Sequence, residues 1–510
     1  MARGLATPLL HSAVQIREIC YARRLSERHG RPQDALRRGD FVWALDRKRG
    51  VAYGLVMKTS LMMGVAAVLA VVGCEAGETG EGKGSENAAS MPKDGYVAFA
   101  STYEVMGAPS TLIADATVYD GIGGVMESAD VLIRDGKIVA VGADITEEAD
   151  VTVDGTGKFV TPGIIDIHSH LGNYPSPGIG AHSDGNEVTS PVTAEVDAEH
   201  GVWPQDPGFD EALAGGVTTL HVLPGSANLF GGKGVTLRNV ASRTVQGMKM
   251  PGAPETLKMA CGENPKRVYG DKGGPGSRMG NVAGYRKNWI KAQDYDPTKG
   301  RDLQLETLKG VLDGEILVQM HCYRADEMAQ ILDIADEFGY KVTTFHHAIE
   351  AYKIGDLLAE SDTCAAMWAD WYGFKAEAYD TIRENIPFVH AQGACAMIHS
   401  DDARGIQRLN QETAKAWSDG NAAGLDISKA EAMQWMTANP AKGLGIFDET
   451  GSLEAGKRAD VVIWNADPFS VYARPDTVMI DGVVQYDRAS GLKPASDFKV
   501  GQASMMEAGQ

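Results

Sequence analysis

The chain is predicted to be an α/β protein, with a (β/α)8 barrel in its middle and a small β-domain assembled from its two ends. Three observations carry this. The apolar run Gly163-Ile164-Ile165-Asp166-Ile167-His168-Ser169-His170 closes on two histidines one residue apart. Three later apolar runs also meet metal-ligand residue types at their C-terminal ends. Short alternating strands with Asp-Gly turns flank that middle region on both sides.

Side chains at i and i+2 of a β-strand share a face, so a strand ending in His168-Ser169-His170 aims two imidazoles at one point. That arrangement suits a divalent transition metal. The other runs are Leu317-Val318-Gln319-Met320 before His321, Val342-Thr343-Thr344-Phe345 before His346 and His347, and Cys395-Ala396-Met397-Ile398 before His399, Ser400 and Asp401. Such runs read as buried parallel strands. In a (β/α)8 barrel the active site lies at the C-terminal ends of the strands. One such histidine would usually be a core or surface residue; the set together points to a metal site.

The flanking β-domain is read from Thr111-Leu112-Ile113, Val131-Leu132-Ile133 before Asp135-Gly136, and Ile138-Val139-Ala140-Val141, then from Ala459–Trp464 and Thr477–Val484 at the other end. Alternation with Asp-Gly signals antiparallel pairing. Neither piece can bury a good core alone, so one domain built from both ends is the economical solution. The expected boundaries are 105–160 with 445–490 for the β-domain, 161–444 for the barrel and 491–510 for a tail. Helical spacing covers Asp326–Phe338 and Lys429–Ala438. The stretches 171–201 and 262–303 read as long loops, the second as an active-site loop or lid.

Bulk properties narrow the class. The 510 residues are 44% hydrophobic with 60 glycines, as in a globular α/β enzyme. A net charge of −20 argues against nucleic-acid binding. The six cysteines, Cys20, Cys74, Cys261, Cys322, Cys364 and Cys395, show no CxxC spacing and do not read as a zinc cage or disulfide framework. Cys261, Cys322 and Cys395 are expected to be small apolar fillers.

The segment from Met57 has a basic start, Met57-Lys58-Thr59-Ser60, an apolar run over 61–72, and then Gly73-Cys74. It resembles a bacterial lipoprotein signal with Val71-Val72-Gly73-Cys74 as lipobox. The run is short for a transmembrane helix. The resemblance implies cleavage before Cys74, lipidation of Cys74, a flexible tether over 74–104 and a periplasmic-side location in a bacterial cell envelope. Residues 1–56 are then expected to be a leader or a misassigned extension, with translation starting at Met57.

Taken together, several motifs resemble the amidohydrolase superfamily, most closely its imidazolonepropionase-like and dipeptidase-like branch. They are Pro162–His170, Gly215-Gly216-Val217-Thr218-Thr219, His321, His347-Ala348-Ile349-Glu350-Ala351, His399-Ser400-Asp401, Thr437-Ala438-Asn439-Pro440-Ala441 and Gly451–Asp460, spread over residues 110–488. The resemblance implies a distorted (β/α)8 TIM barrel, a flanking β-sandwich and one or two divalent ions, most plausibly Zn2+. Carried over, His168 and His170 bind the more buried ion, His321 and His347 the second, and Asp401 is both ligand and general base. His347 rather than His346 matches the family pattern. A carboxylated lysine or a glutamate bridges the ions in binuclear members: the resemblance favours Lys258, while placement at the strand end favours Glu263.

Where the family's aromatic-base deaminases carry His-x-x-Glu, this chain has His321-Cys322-Tyr323-Arg324. The cation argues against a deaminase and for a site that holds a substrate carboxylate. Arg324, Tyr323, His221 and Tyr174 are the candidate substrate contacts, with Lys266, Arg267 and Arg278 as further loop candidates. The expected reaction is hydrolysis of a C–N amide bond in a peptide-like, acyl-amino-acid or cyclic-amide substrate. A cyclic amide or lactone hydrolase, a deaminase and a non-catalytic binding barrel are the competing readings. The expected partner is a small-molecule substrate, with no nucleic acid and membrane contact only through the lipid anchor; homo-oligomerisation is left open.

Overall fold

The computed structural model describes residues 43–46, 51–54 and 99–491, and the chain divides into two compact units, Met1–Met91 and Pro92–Gln510. In the first, Trp43–Asp46 pairs antiparallel with Val51–Gly54. The proposed signal at 57–73, Cys74, most of the tether and the tail beyond 491 lie outside the described residues. Among the described residues no helix is long and apolar enough to cross a membrane.

The second unit starts with five strands: β1 (Thr111–Tyr119), β2 (Val125–Arg134), β3 (Lys137–Gly142), β4 (Val151–Asp154) and β5 (Phe159–Pro162). The barrel strands are β6 (Ile164–Ser169), β7 (Val217–Val222), β8 (Phe230–Arg238), β9 (Glu255–Ala260), β10 (Ile316–Cys322), β11 (Val342–His347), β12 (Cys364–Met367) and β13 (Ala396–Ile398). The chain ends with β14 (Val461–Trp464), β15 (Pro475–Ile480) and β16 (Val483–Asp487).

Both ends join one eight-stranded sheet, in which β14 lies antiparallel to β5 and β4 lies beside β1. The two Asp-Gly signals are its hairpin turns. Asp135 and Gly136 have φ of 52° and 73°, and Asp481 and Gly482 have φ of 50° and 74°. Two successive left-handed residues match the twist of the strands they join, which is why this dipeptide is favoured there. Leu453, Ala459, Val461, Ile463 and Met479 from the C-terminal end pack with Ile113, Val118, Val131, Ile133 and Val160 from the N-terminal end.

At Gly163 the chain passes from this sheet into the barrel. A Cβ there would lie 2.0 Å from Thr218 Oγ1, so only glycine lets the two backbones approach. β6 to β13 follow one another in spatial order. One expectation is corrected here: the strands are not all parallel, because β8 runs antiparallel to both β7 and β9. The seven residues 223–229 that connect β7 to β8 are too few for a crossover helix, so a hairpin replaces one βα unit.

The connections between parallel neighbours carry helices: α1 (Pro207–Ala214) before β7, α2 (Glu263–Tyr269), α3 (Arg278–Gln293) and α4 (Leu303–Leu312) before β10, α5 (Ala325–Phe338) before β11, α6 (Gly355–Glu360) before β12 and α7 (Asn385–Ala391) before β13. The stretch 262–303, expected to be a loop or lid, is therefore mainly helical; Ser277 caps α3 by accepting from the backbone N–H of Gly280.

The cysteine expectation is also corrected. Cys261 is disulfide-bonded to Cys322, and Cys364 to Cys395. The strand register explains both: Ala260 pairs with His321 and Ala365 with Ala396, so each cysteine sits one step along from a paired position. Sequence spacing carries no information about register, which is why the pairs were not legible.

Candidate metal centre

The imidazoles of His168 and His170 leave the end of β6 toward the same point, as the i, i+2 spacing requires. Their hydrogen bonds decide which nitrogen each presents. His170 Nδ1 lies 2.8 Å from the Leu223 carbonyl, which can only accept, so Nδ1 carries a proton and in the neutral ring Nε2 holds a lone pair. His168 is set by a longer relay. The Gly443 carbonyl accepts from Gln319 Nε2 at 3.0 Å, which turns the Gln319 carbonyl oxygen toward His346 Nε2, 2.7 Å away. His346 Nε2 therefore holds a proton. Burial keeps His346 neutral, so its Nδ1 accepts from His168 Nδ1 at 2.9 Å. His168 Nε2 is left with its lone pair.

Both lone pairs face an anion. Asp401 Oδ1 is 3.1 Å from His170 Nε2 and 3.4 Å from His168 Nε2. Three acceptors turned on one another repel unless a cation lies among them. Burial first of all pushes the pKa of His168 well below its usual value, so a proton on that imidazole is disfavoured as the cation. The donor set, two neutral imidazoles and a carboxylate, fits a divalent metal ion.

A second group adjoins the first: His168, His347 and His399 offer ring nitrogens within 4.8 Å of one another. His347 Nδ1 and both ring nitrogens of His399 are buried with no hydrogen-bond partner. Asp401 Oδ2 is 3.8 Å from His347 Nδ1, so this carboxylate faces both groups. The His321 ring lies 4.6 Å from that of His347, and its Nδ1 is likewise buried and unpartnered. Burial lowers the pKa of His321 and His347 well below the ordinary value and that of His399 to about 3.

The backbone is bent to bring these groups in. Consecutive residues of a strand face opposite ways, yet the rings of His346 and His347 both lie 4.8 Å from that of His168. His347 and Ala348 have φ of 70° and 39°, which takes the chain out of its pleat at that point. Asp401 has φ of 53°. Its backbone N–H donates to the His168 carbonyl at 3.0 Å. Asp166 fixes the residue before it, accepting from the Ser400 hydroxyl and from Ser400 N at 3.2 Å, and also from His168 N at 3.1 Å. Burial pushes the Asp166 pKa up to about 6. Such strained residues survive where the surroundings over-determine them, as at functional sites.

Lys258 and Glu263 stand in different surroundings. Lys258 is wholly buried on β9, its Nζ has no hydrogen-bond partner, and its charge acts on His168, His321 and His399. Burial lowers its pKa to about 7. Glu263, favoured by its place at the strand end, instead begins α2, and its carboxylate lies 3.6 Å from Lys375 Nζ. Glu263 lines the rim cavity with Lys266 and Arg324.

Two substrate-contact expectations are corrected. His221 is not on a loop: it is buried in β7 with its ring nitrogens 3.1 Å from Thr236 Oγ1 and 3.0 Å from Thr256 Oγ1. Arg324 caps α5 and forks onto Asp326 at 2.9 and 3.0 Å, leaving its guanidinium engaged beside its own helix. Tyr323 is buried, with its ring 4.8 Å from His321 and 5.3 Å from His347. The Tyr174 ring is 5.7 Å from His170. Lys266, Arg278 and Arg324 line a cavity of about 640 Å³ with Glu263, Glu350 and Glu377. In it Arg278 is paired with Glu327 and Glu377. Arg267 lies farther out, 3.5 Å from Asn264 Oδ1.

Sequence reasoning gave no site role to Asp166, Gln319, His346, Trp368 or Lys375. Asp166 and Gln319 did carry a signal: each is a polar residue inside a wholly apolar run. Trp368 stacks on His347 with ring centroids 4.4 Å apart. Lys375 sits on a loop with no pattern to mark it.

A family model described as the amidohydrolase family matches residues 376–484. The solved structure of an amidohydrolase from Thermotoga maritima MSB8 is 36% identical, with a TM-score of 0.69 over 74% of this chain and 100% of that one. Amidohydrolase tasK of Hapsidospora irregularis is 30% identical over 420 residues, 75% of this chain; the match spans only 42% of that longer relative. The imidazolonepropionase of Mesorhizobium japonicum is 26% identical over 69% of this chain and 90% of its own length.

Proposed function

Because this chain belongs to the amidohydrolase family, a family of hydrolases, we propose that it cleaves a C–N amide bond of a small peptide-like, acyl-amino-acid or cyclic-amide substrate. The observation that carries this is the convergence of His168 Nε2, His170 Nε2 and Asp401 Oδ1, three acceptors that require a cation among them. His168, His170 and Asp401 would hold one ion; His347, with His321 or His399 beside it, would supply donors for an adjacent one, and a carboxylated Lys258 is the candidate for joining the two. Zn2+ suits the imidazole-rich donor set.

When bound, such an ion lowers the pKa of a water from 15.7 to about 7 and polarises the substrate carbonyl. Asp401 faces both groups and is ionised at neutral pH, so it can take the proton of the attacking water and deliver it to the leaving nitrogen. Asp166 and Ser400 hold Asp401 in the left-handed conformation this requires. Trp368 and Tyr323 flank the His347 ring and exclude bulk water from it. We read the lipoprotein-like segment ending at Cys74 as an address to a bacterial cell envelope, and the two disulfides support an oxidising compartment.

Metal analysis and a panel of acyl-amino acids, dipeptides and cyclic amides test the proposal. Asp401→Asn is expected to lower kcat by about 10²–10⁴-fold, the usual worth of a general base. A metal-loaded protein inactive on every amide, or an Asp401→Asn variant with unchanged turnover, would reject it.

A further inference from the structure

The loop after β12 carries features that the hydrolytic site does not use. Trp368 stacks on His347, and Trp371 stacks in turn on Trp368 with centroids 5.1 Å apart and planes at 21°. Phe374 meets Trp368 edge-on at 5.8 Å and lies 6.5 Å from Tyr323. Trp371 is 36% exposed and Phe374 54%. An aromatic wall therefore runs from the imidazole cluster outward to solvent. Solvent-exposed rings cost free energy unless a ligand covers them.

Beside this wall, close to the imidazole cluster, stands a cation. Lys375 Nζ is 3.9 Å from the Tyr323 ring centroid, and Tyr323 itself packs on His321 and His347. Its polar contacts are weak, 3.4 Å to Asn264 Oδ1 and 3.6 Å to Glu263 Oε1. Asn264 also reaches the cluster, 3.4 Å from His321 Nε2. Arg324 on Asp326, Arg278 on Glu327 and Glu377, and Lys353 on Asp380 at 2.9 Å are more tightly engaged, while Lys266 and Arg267 have no contact with the imidazole-packed Tyr323. Lys375 is 17% exposed at its side chain, so a partner it gained would be only partly screened by water. Burial already lowers its pKa, the mark of an ammonium short of compensation.

We propose that Lys375 anchors a substrate carboxylate and that Trp371 and Phe374 form the apolar wall beside it, so the site selects small anionic amides with an apolar side chain. This rests on the amide-hydrolase reading and moves the carboxylate-binding role from Arg324 to Lys375. The ammonium offers a third donor that its two long contacts leave free, and Glu263, at the exposed rim, can give way to the incoming anion.

The test uses two probes without a scissile bond, 3-phenylpropionate and its neutral isostere 3-phenyl-1-propanol, titrated into zinc-loaded protein while tryptophan fluorescence is followed. Wild type is expected to bind the acid about tenfold more tightly than the alcohol, ~1.4 kcal/mol. Lys375→Met keeps the aliphatic stem over Tyr323 and should abolish the preference; Lys375→Arg should restore most of it. A preference that persists in Lys375→Met overturns the proposal, as does a wild type that binds both probes equally or neither through the millimolar range. An intact preference with no hydrolysis of any amide would reject the amide reading and leave the anchor standing.

Discussion

Gln319 touches none of the atoms that would hold a metal ion, yet the relay makes it a determinant of metal affinity. Gln319→Leu removes the acceptor for the His346 Nε2 proton and the donor to the Gly443 carbonyl, both at a wholly buried position. Each orphaned group costs about 1–3 kcal/mol. His346 can escape its share by moving its proton to Nδ1, but that proton then meets His168 Nδ1, 2.9 Å away. His168 must accept it and carry its own proton on Nε2, the nitrogen that faces Asp401. Metal binding would have to reverse both shifts. Partners of this kind are worth about 10–100-fold in metal affinity, ~1.4–2.7 kcal/mol. Competition for zinc against a chromophoric chelator measures the affinity, and urea unfolding of the metal-free protein measures the stability loss separately. Gln319→Glu, which keeps an acceptor for His346 but loses the donor to Gly443, should recover most of the affinity without recovering the stability. A Gln319→Leu protein that is less stable but binds zinc like wild type would refute the relay.

Two further predictions concern buried charge. In metal-free protein burial lowers the Lys258 ammonium pKa to about 7, against its ordinary 10.5 in the unfolded chain. The unfolded chain therefore binds the extra proton between those values, and stability attributable to this residue rises with pH across that window; below it the burial penalty is fully present. The stability of wild type relative to Lys258→Met should improve from pH 7 to pH 10 in thermal unfolding, and parallel curves would contradict the assignment. Asp460 accepts from Arg238 Nη1 at 2.7 Å, from Thr450 Oγ1 at 2.6 Å and from Asp481 N at 3.1 Å, with Arg238 fully buried. This pair ties the end of β8 in the barrel to the chain entering β14 of the other sheet. Asp460→Asn should cost about 3 kcal/mol in denaturant unfolding, since it leaves the buried Arg238 guanidinium with Asp481, 3.6 Å away, as its carboxylate partner; a loss under about 1 kcal/mol would show that the joint is not where the two sheets are held.

Local periodicity was enough for part of the site. The pleat of a strand sends residues 168 and 170 to one face whatever the rest of the chain does, and an Asp-Gly pair between alternating strands folds as a hairpin turn at 135–136 and again at 481–482. The apolar runs before His321, His347 and Asp401 likewise announced strand ends at a common rim. Everything that depended on which strand lies beside which had to wait for the tertiary structure. Register joined Cys261 to Cys322, the hairpin of β7 with β8 reversed one strand, and inward rotation of β7 turned His221 from a loop candidate into a buried residue between two threonines. Lys258 and Glu263 lie five residues apart, and only the turn after β9 separates a buried amine from a rim carboxylate. Side-chain direction within one strand is a local property of the backbone, but the proton on His168 is set by His346, 178 residues away. No pattern along the chain encodes that meeting; packing the barrel creates it.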